Sequence, residues 1–157
     1  MAKAVVQGGT KILRLSQVEH IQAIQEVVDV PIIGLIKNHY SNSEVFITPT
    51  LKEAEALIQL KVAVVAIDAT NRKRPAEDLQ QIVQTIKNKY PQQLLMADCS
   101  TLEDALNAQV LGFDFIGTTL RGYTRETKGA SNLANDYAFI KTLLKNLSIP
   151  VIAEGGI

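Results

Sequence analysis

Short apolar runs alternate along the chain with segments in which apolar residues recur every three or four positions. The first pattern indicates β-strands and the second indicates amphipathic helices. Two of the runs, 32–36 and 62–67, are apolar at nearly every position. Strands of this kind are covered on both faces, as in a parallel sheet. The pattern predicts six strands: Lys11–Leu15, Ile32–Lys37, Val62–Asp68, Leu94–Asp98, Phe113–Thr118 and Val151–Glu154.

The helical segments carry start and stop signals. Three of them begin with a hydroxyl residue followed three positions later by glutamate, which is typical of a capping box. These pairs are Ser16 with Glu19, Thr50 with Glu53, and Ser100 with Glu103. Helices are also predicted over 77–89 and 135–147, and Met1–Gly9 is predicted to end a preceding helix. A proline stands just before three of the strands, where it ends a helix without removing a ladder hydrogen bond. These prolines are Pro31, Pro91 and Pro150.

This order of elements leaves two α/β architectures, an open doubly wound sheet or a closed barrel. An open sheet usually carries a glycine fingerprint after its first strand, whereas Gly8 and Gly9 precede a strand here. We therefore expect a TIM (β/α)₈ barrel. A complete barrel needs at least about 200 residues, and the sequence has 157. We expect residues 1–157 to form a single partial TIM-barrel domain, from about strand 2 to strand 7, lacking the first and last units.

Polar residues stand at or near the ends of all six predicted strands. They are Arg14, Lys37, Asp68, Asp98, Thr118 and Glu154. Strand ends meet solvent, so polar residues are unremarkable at any one of them. Five charged residues on six strands are harder to explain in this way, and a closed barrel would bring all six tips into one mouth. The active sites of such barrels lie at this end, so the six residues are candidates for a site.

The candidate residues suit proton transfer on an anionic substrate. Lys37 follows apolar strand residues, and partial desolvation would favour its neutral amine as a general base or Schiff-base nucleophile. Asp98 and Glu154 could orient hydroxyl groups or carry protons, and Arg14 could hold an anion. The sequence contains no cluster with the spacing of metal ligands.

For the other polar features, a purely structural explanation has at least as much weight as a functional one. Cys99 is interpreted as a small buried residue, because no histidine is placed to activate it. His20 and His39 are isolated and are expected at ordinary positions. The basic stretch 71–74 is either a loop that attracts an anionic substrate or a solvated loop. The polar segment from 117 to 135 is long enough to form a lid or binding element.

Composition narrows the possible partners. Lys plus Arg and Asp plus Glu number 16 each, so the formal net charge is zero. Nucleic acids and anionic membranes favour basic surfaces, so we expect neither as a partner. The single cysteine excludes an internal disulfide and fits a reducing compartment. No signal peptide is predicted at the start, and every apolar run is far shorter than the roughly 20 residues of a membrane span. We expect a soluble cytoplasmic protein.

Six segments in the same order resemble bacterial N-acetylmannosamine-6-phosphate 2-epimerases, over essentially the whole chain. The segments are 31–37 (PIIGLIK), 46–50 (FITPT), 68–75 (DATNRKRP), 95–98 (LMAD), 117–124 (GTTLRGYT) and 149–155 (IPVIAEG). The resemblance implies a TIM barrel that interconverts N-acetylmannosamine 6-phosphate and N-acetylglucosamine 6-phosphate in sialic acid catabolism. It implies no metal and no organic cofactor.

The resemblance also implies roles for individual residues. Lys37 matches the catalytic lysine, which removes the proton at C2 of the opened sugar. Glu154 matches the glutamate that assists proton transfer. Arg14 and Asp98 match residues that bind the sugar or polarise its oxygens. Three further residues are expected to complete the substrate-binding set, namely Asp68, Thr118 and Gly155.

The sequence departs from this family at both ends. No glutamine before Lys11 can serve as the substrate-binding glutamine of the first strand, and the eighth βα unit, which helps to hold the phosphate, is missing. We therefore expect the chain to be inactive or nearly so, and to form homo-oligomers that cover its exposed strand edges.

Two other functions are left open. One is a different phosphate-binding barrel enzyme, related to aldolases or decarboxylases, with Lys37 as a Schiff-base residue. The other is a non-catalytic module that binds a sugar phosphate.

Overall fold

Six parallel strands alternate with helices in the computed structural model, which describes residues 1–156. The elements are α1 (Ala2–Gln7), β1 (Leu13–Ser16), α2 (Val18–Gln25), β2 (Ile32–Leu35), α3 (Leu51–Gln59), β3 (Val64–Asp68), α4 (Leu79–Lys89), β4 (Leu94–Asp98), α5 (Leu102–Leu111), β5 (Phe115–Gly117), α6 (Ala134–Asn146) and β6 (Val151–Ile152). All six predicted strands are confirmed, with ends that differ by up to a few residues. None of the helices within residues 1–156 is long and apolar enough to cross a membrane.

The strands lie in the sheet in their sequence order, β1-β2-β3-β4-β5-β6, and each pairs in parallel with the next. A doubly wound sheet reverses direction at a switch point, and this order contains no reversal within the described residues. The fold is therefore a six-stranded parallel half-barrel, as expected for part of a TIM barrel.

The sheet has an apolar core on each face, which explains the continuous apolar runs. On β3, Val65 and Ile67 belong to the core shared with the helices, whereas Val64 and Ala66 belong to the core on the opposite face. We call this opposite face the inner face. Its buried residues are Ile33, Leu35, Ile47, Val64, Ala66, Met96 and Leu120.

The capping box at Thr50 and Glu53 is confirmed, because the Thr50 hydroxyl and backbone N–H both donate to the Glu53 carboxylate. The box predicted at Ser16 is wrong. Ser16 is the last residue of β1 and pairs with Leu35, so α2 begins only after Gln17, which has φ 72° and provides no side-chain cap.

The capping box predicted at Ser100 is displaced by one residue. Thr101 is the true N-cap, and its hydroxyl accepts from the backbone N–H of Asp104 at 3.1 Å. The Asp104 carboxylate accepts in return from the Thr101 and Ser100 backbones. Aspartate therefore takes the place that the sequence pattern assigned to Glu103, because a shorter side chain also reaches back across one turn.

Ser100 instead anchors the long loop between β5 and α6. Its hydroxyl lies 2.7 Å from the hydroxyl groups of both Thr124 and Thr127, which are 2.9 Å from each other. All three residues are buried. The Arg121 guanidinium of the same loop lies over the ring of Phe139, 4.1 Å from its centre. The loop is therefore fastened to the barrel by polar contacts on one side and by α6 on the other.

The start of α6 departs from regular helix. Asn135, Asp136 and Tyr137 have φ angles of 50°, 55° and 59°, in the left-handed region. Asparagine and aspartate tolerate this conformation better than most residues. Regular right-handed helix follows from Ala138, so the predicted helix over 135–147 is confirmed with an irregular first turn.

We expect Gly122→Ala to destabilise the fold more than Gly129→Ala does. Both glycines have positive φ, 89° and 77°, but a Cβ at Gly122 would lie 2.3 Å from the Ala130 carbonyl oxygen, whereas nothing lies within 4 Å of one at Gly129. Gly129→Ala should cost about 1 kcal/mol of unfolding free energy, and Gly122→Ala about 1–3 kcal/mol more. Equal costs in urea unfolding would contradict the contact.

Candidate active site

A guanidinium group joins three strands at the carboxyl end of the sheet. Arg14 pairs with Ile33 in the sheet and so lies on the inner face. Its Nη2 lies 2.6 Å from Asp98 Oδ2, and its Nη1 lies 3.1 Å from Glu154 Oε1. These three residues come from β1, the end of β4 and the segment after β6. The structure thus brings together three of the charged residues predicted from the strand ends.

The Asp98 carboxylate is fully buried. Burial raises its pKa above the ordinary value, and the charge and hydrogen bond of Arg14 oppose the rise. The strand order explains this environment, since Asp98 ends β4 in the middle of the sheet between Asp68 and Gly117. The ionised form therefore depends on the nearby cation.

Thr119 joins the same cluster, although it is not among the residues predicted from the strand ends. Its hydroxyl lies 2.7 Å from Asp98 Oδ1 and 2.6 Å from Glu154 Oε1. The period-2 alternation along β5 could have identified it, because Phe115 packs on the inner face and Gly117 and Thr119 follow at alternate positions.

Thr118, which was predicted to bind substrate, is turned away from this cluster. Its buried hydroxyl donates to the Glu154 carbonyl at 2.8 Å and accepts from the Glu154 backbone N–H at 2.9 Å. Gly117 holds the inner position instead, where a Cβ would lie 2.4 Å from Met96 Cε and 3.1 Å from Glu154 Oε1. Thr118 therefore fixes the backbone on which Glu154 stands.

A cavity of about 330 Å³ lies beside the cluster. Two cationic side chains and a threonine border it, namely Arg14, Lys37 and Thr119. The remaining lining is largely apolar or aromatic, from Leu35, Phe46, Ile47, Leu120, Tyr123 and Gly155. A pocket of this size suits a small molecule, and the lining suits one that combines negative charge with hydroxyl and apolar groups.

Lys37 lies at the rim of the cavity rather than in an apolar environment. The residue is exposed, although its backbone forms an isolated antiparallel bridge with Ile47. Gln17 Oε1 accepts from the Lys37 backbone N–H at 2.8 Å, which fixes the start of this segment. The expected desolvation of Lys37 by its strand neighbours is thus wrong for this structure, because those neighbours are buried below it.

Gly155 borders the cavity through its backbone. Its φ is +76°, and a Cβ would lie 2.6 Å from the Thr119 carbonyl oxygen. The side-chain amide of Asn132 donates to the carbonyls of Gly155 at 2.6 Å and Glu154 at 3.0 Å. Asn132 is fully buried, and no sequence pattern indicates its role because its carbonyl partners are 14 to 23 residues away.

Asp68 lies on the inner face next to Asp98 but has its own cation. Its carboxylate accepts from Arg72 Nη2 at 2.6 Å and from the Thr70 hydroxyl at 2.7 Å. Burial raises its pKa, and the charge of Arg72 opposes the rise. Asp68 does not border the cavity beside Arg14.

The basic stretch 71–74 is divided between two environments. Arg72 pairs with Asp68, and the buried Arg74 donates to the backbone carbonyls of Asp68, Thr48 and Pro49. Only Lys73 of its three cations is exposed. Neither arginine borders the cavity, so the stretch fastens the loop after β3 instead of presenting a free basic patch.

Cys99 and the two histidines lie outside the cluster. Cys99 is fully buried, and burial raises the pKa of its thiol well above the ordinary value, with neighbouring carboxylates adding to the rise. This agrees with a structural role. His20 and His39 are exposed, and the His39 ring stacks on Phe46 with centroids 5.4 Å apart.

Comparison with known proteins gives one consistent family. The model of the NanE family, described as "Putative N-acetylmannosamine-6-phosphate epimerase", matches residues 1–157. A protein of Mycoplasma capricolum named "Putative N-acetylmannosamine-6-phosphate 2-epimerase" is 64% identical over 157 residues, which are 100% of this chain and 70% of that protein. A protein of Listeria welshimeri with the same name is 51% identical over 158 residues and is matched over 67% of its length.

Solved structures agree with the sequence comparison. The N-acetylmannosamine-6-phosphate 2-epimerase from Clostridium perfringens superposes with a TM-score of 0.91 at 43% identity, over 99% of this chain and 67% of that one. A thiamine phosphate pyrophosphorylase from Pyrococcus furiosus superposes with a TM-score of 0.62 at 16% identity, a likeness of fold alone.

We expect Arg14→Met to destabilise the protein more near neutral pH than near pH 4. The folded-state pKa of Asp98 lies above its ordinary value of 3.8, so the unfolding free energy falls as pH rises between the unfolded and folded pKa values. Removal of Arg14 raises the pKa of Asp98 further and widens this window. The loss should be about 3 kcal/mol near neutral pH and at least about 1 kcal/mol smaller near pH 4.

Arg125→Met is the matched control, because Arg125 and Glu44 form an ion pair that is 89% and 52% exposed. It should cost less than about 1 kcal/mol at both pH values. Denaturant unfolding that gives Arg14→Met the same cost at both pH values would contradict the role assigned to Arg14.

Proposed function

Because the chain belongs to the NanE family of N-acetylmannosamine-6-phosphate epimerases, we propose that it interconverts N-acetylmannosamine 6-phosphate and N-acetylglucosamine 6-phosphate. The reaction belongs to the metabolism of amino sugar phosphates derived from sialic acid, and we place it in the cytoplasm. On this proposal the six strands correspond to strands two to seven of an eight-stranded barrel, and residues 1–157 form a single partial domain.

The observation that carries the proposal is the meeting of Arg14, Asp98 and Glu154 beside the cavity bordered by Lys37. These residues supply an amine, two carboxyl groups and a fixed cation at the carboxyl ends of the strands, where such barrels hold their active sites. A proton transfer that inverts one carbon needs a base on one side and an acid on the other.

In the proposed mechanism Lys37 removes the proton from C2 of the open-chain sugar. The adjacent carbonyl makes this proton acidic, and its removal gives an enolate intermediate with its negative charge on the C1 oxygen. Glu154 assists the return of a proton to the opposite face of C2, which gives the epimer. Both groups act by general acid–base catalysis.

The other site residues hold the sugar. Arg14, a fixed cation, stabilises negative charge that develops on the substrate oxygens, and Asp98 holds Arg14 in place. Gly155 can bring its backbone groups close to the sugar because it carries no side chain. We assign Asp68 and Thr118 supporting roles behind the substrate, consistent with their contacts to Arg72 and to the Glu154 backbone.

We expect the protein to exchange the C2 proton of N-acetylmannosamine 6-phosphate with deuterium in D₂O, and Lys37→Ala to stop this exchange. Deuterium accumulates with time, so proton NMR detects turnover even at a low rate. Loss of the base should reduce the rate at least about 100-fold. The matched control is Lys52→Ala, which removes an exposed lysine on α3 and should exchange at the rate of the unmodified protein.

Unchanged exchange in Lys37→Ala would remove this lysine from the mechanism. We propose a rate well below that of the Mycoplasma capricolum relative, measured alongside, rather than complete inactivity, so a sugar left unaltered by the unmodified protein would overturn the epimerase proposal.

We expect borohydride to trap no covalent adduct between Lys37 and the sugar phosphate. Epimerisation through an enolate needs no imine, whereas a Schiff-base aldolase forms one that borohydride reduces to a stable amine. Mass spectrometry of the treated protein measures the difference. An adduct on Lys37 would favour the aldolase-like function, and tight binding without exchange or adduct would favour a non-catalytic sugar-phosphate module.

We also propose that the protein forms homo-oligomers. The outer strands β1 and β6 each pair on one side only within residues 1–156, and apolar side chains such as Val110 and Leu144 are 84% and 61% exposed. Unpaired edges and apolar patches favour association. Light scattering should give a mass of at least two chains, and a stable monomer at high concentration would contradict this.

A further inference from the structure

One threonine hydroxyl lies between the two carboxyl groups of the site. Thr119 Oγ1 is 2.7 Å from Asp98 Oδ1 and 2.6 Å from Glu154 Oε1. Both distances are those of short O–H···O hydrogen bonds. Thr119 also borders the cavity, so this chain of three oxygens stands directly beside the space that the substrate would occupy.

The number of protons in this arrangement is fixed by the chemistry of its groups. A hydroxyl has one hydrogen to donate, and an ionised carboxylate can only accept. If both carboxyl groups were ionised, Thr119 could donate to one of them, and its oxygen would face the other at hydrogen-bond distance with no hydrogen between them. Both short contacts are satisfied together only if one carboxyl group carries a proton and donates it to Thr119.

Charge and burial favour the same state. Arg14 is the cation in contact with both Asp98 and Glu154, so two carboxylates would leave one negative charge without a contacting cation in a largely buried cluster. Burial and the charge of Glu154 raise the pKa of Asp98, while Arg14 and Thr119 oppose the rise. One proton on the pair makes the cluster neutral, and two carboxyl groups at this range favour sharing one.

Two further charged groups stand at this end of the sheet. Lys37 borders the same cavity as Arg14. Asp68 pairs with Asp98 in the sheet, but its carboxylate is held by Arg72 and Thr70. Neither forms a hydrogen bond to Thr119, so the proton count of the three-oxygen chain is set by Asp98, Glu154 and Arg14.

We propose that Asp98 and Glu154 share one proton through Thr119, and that Thr119 is a positioning residue that delivers this proton to Glu154 for catalysis. In the resting site Asp98 carries the proton and donates it to Thr119 Oγ1, while the Thr119 hydroxyl donates to Glu154 Oε1. The Asp98 proton then passes to Thr119 Oγ1 as the Thr119 hydrogen passes to Glu154 Oε1, and Glu154 gives this proton to the substrate. Thr119 gives one proton and receives one, Asp98 is left as a carboxylate beside Arg14, and the pair as a whole loses one proton. The pair regains a proton, and Lys37 loses the one it took from C2, before the next turnover.

The proposal deepens the proposed function, since it concerns the acid of the same site, but the proton can be detected without any sugar. Thr119→Val keeps the shape of the side chain and removes the hydroxyl, and Thr119→Ser keeps the hydroxyl. Infrared spectra with isotope-labelled aspartate and glutamate report the C=O stretch of protonated carboxyl groups. Ordinary carboxyl groups are ionised near about pH 6.

The unmodified protein and Thr119→Ser should retain one protonated carboxyl group at that pH. Thr119→Val should lose it at a pH about one unit lower, because the state with one shared proton loses two hydrogen bonds, whereas the fully ionised state loses only the one that Thr119 donates. Circular dichroism establishes that each variant is folded. If the unmodified protein has no protonated carboxyl group near this pH, or if folded Thr119→Val retains it unchanged, the proposal is overturned.

The role in catalysis has a separate readout in the pH profile of the epimerase reaction. Loss of the hydroxyl should lower kcat about 10- to 100-fold with little change in KM, and should move the alkaline limb of the kcat profile about one unit lower. Thr119→Ser should restore both. A uniform fall in kcat with no movement of the limb would overturn the relay, whereas absence of turnover in the unmodified protein would count against the proposed function and leave the infrared result to decide the shared proton.

Discussion

The contact between the Arg14 guanidinium and the carboxyl groups of Asp98 and Glu154 is the interaction on which the site depends. It joins the first strand of the sheet to the fourth and to the segment after the sixth. In a flat sheet, five strand spacings of about 4.8 Å would separate β1 from β6 by about 24 Å. An arginine side chain cannot span that distance, so the contact exists only because the sheet curls, and the same curl encloses the cavity.

The buried carboxylates show how one sequence signal leads to different roles. Asp68 and Asp98 are paired neighbours at the ends of β3 and β4, and both are fully buried. A cation four residues further along the loop neutralises the first, whereas one from a distant strand neutralises the second. The local ion pair fastens its own loop, and the distant one leaves its carboxylate linked to the cavity. The difference lies in where the partner comes from, not in the aspartates themselves.

Most of the fold and part of the site could be predicted from the sequence. The six strands and their parallel arrangement follow from apolar periodicity, and Arg14, Asp98 and Glu154 follow from the position of the strand ends. The choice of Thr119 over Thr118 follows from the period-2 alternation of β5 only once Phe115 is known to face inward, and Gly117 between them has no side chain to show the face. The partners of Asp98 and Asn132 and the exposure of Lys37 are set by tertiary contacts that local patterns do not contain.

Gly117 illustrates that an active site also includes the space that a residue leaves empty. A methyl group there would press on Met96, Thr119 and the Glu154 carboxylate at once. A glycine codon becomes an alanine codon by a single nucleotide change, and such a substitution would ordinarily be scored as mild. At this position even the mildest missense change available to the gene would displace groups of the active site. The volume of the new side chain, rather than its polarity, therefore decides whether a substitution is tolerated.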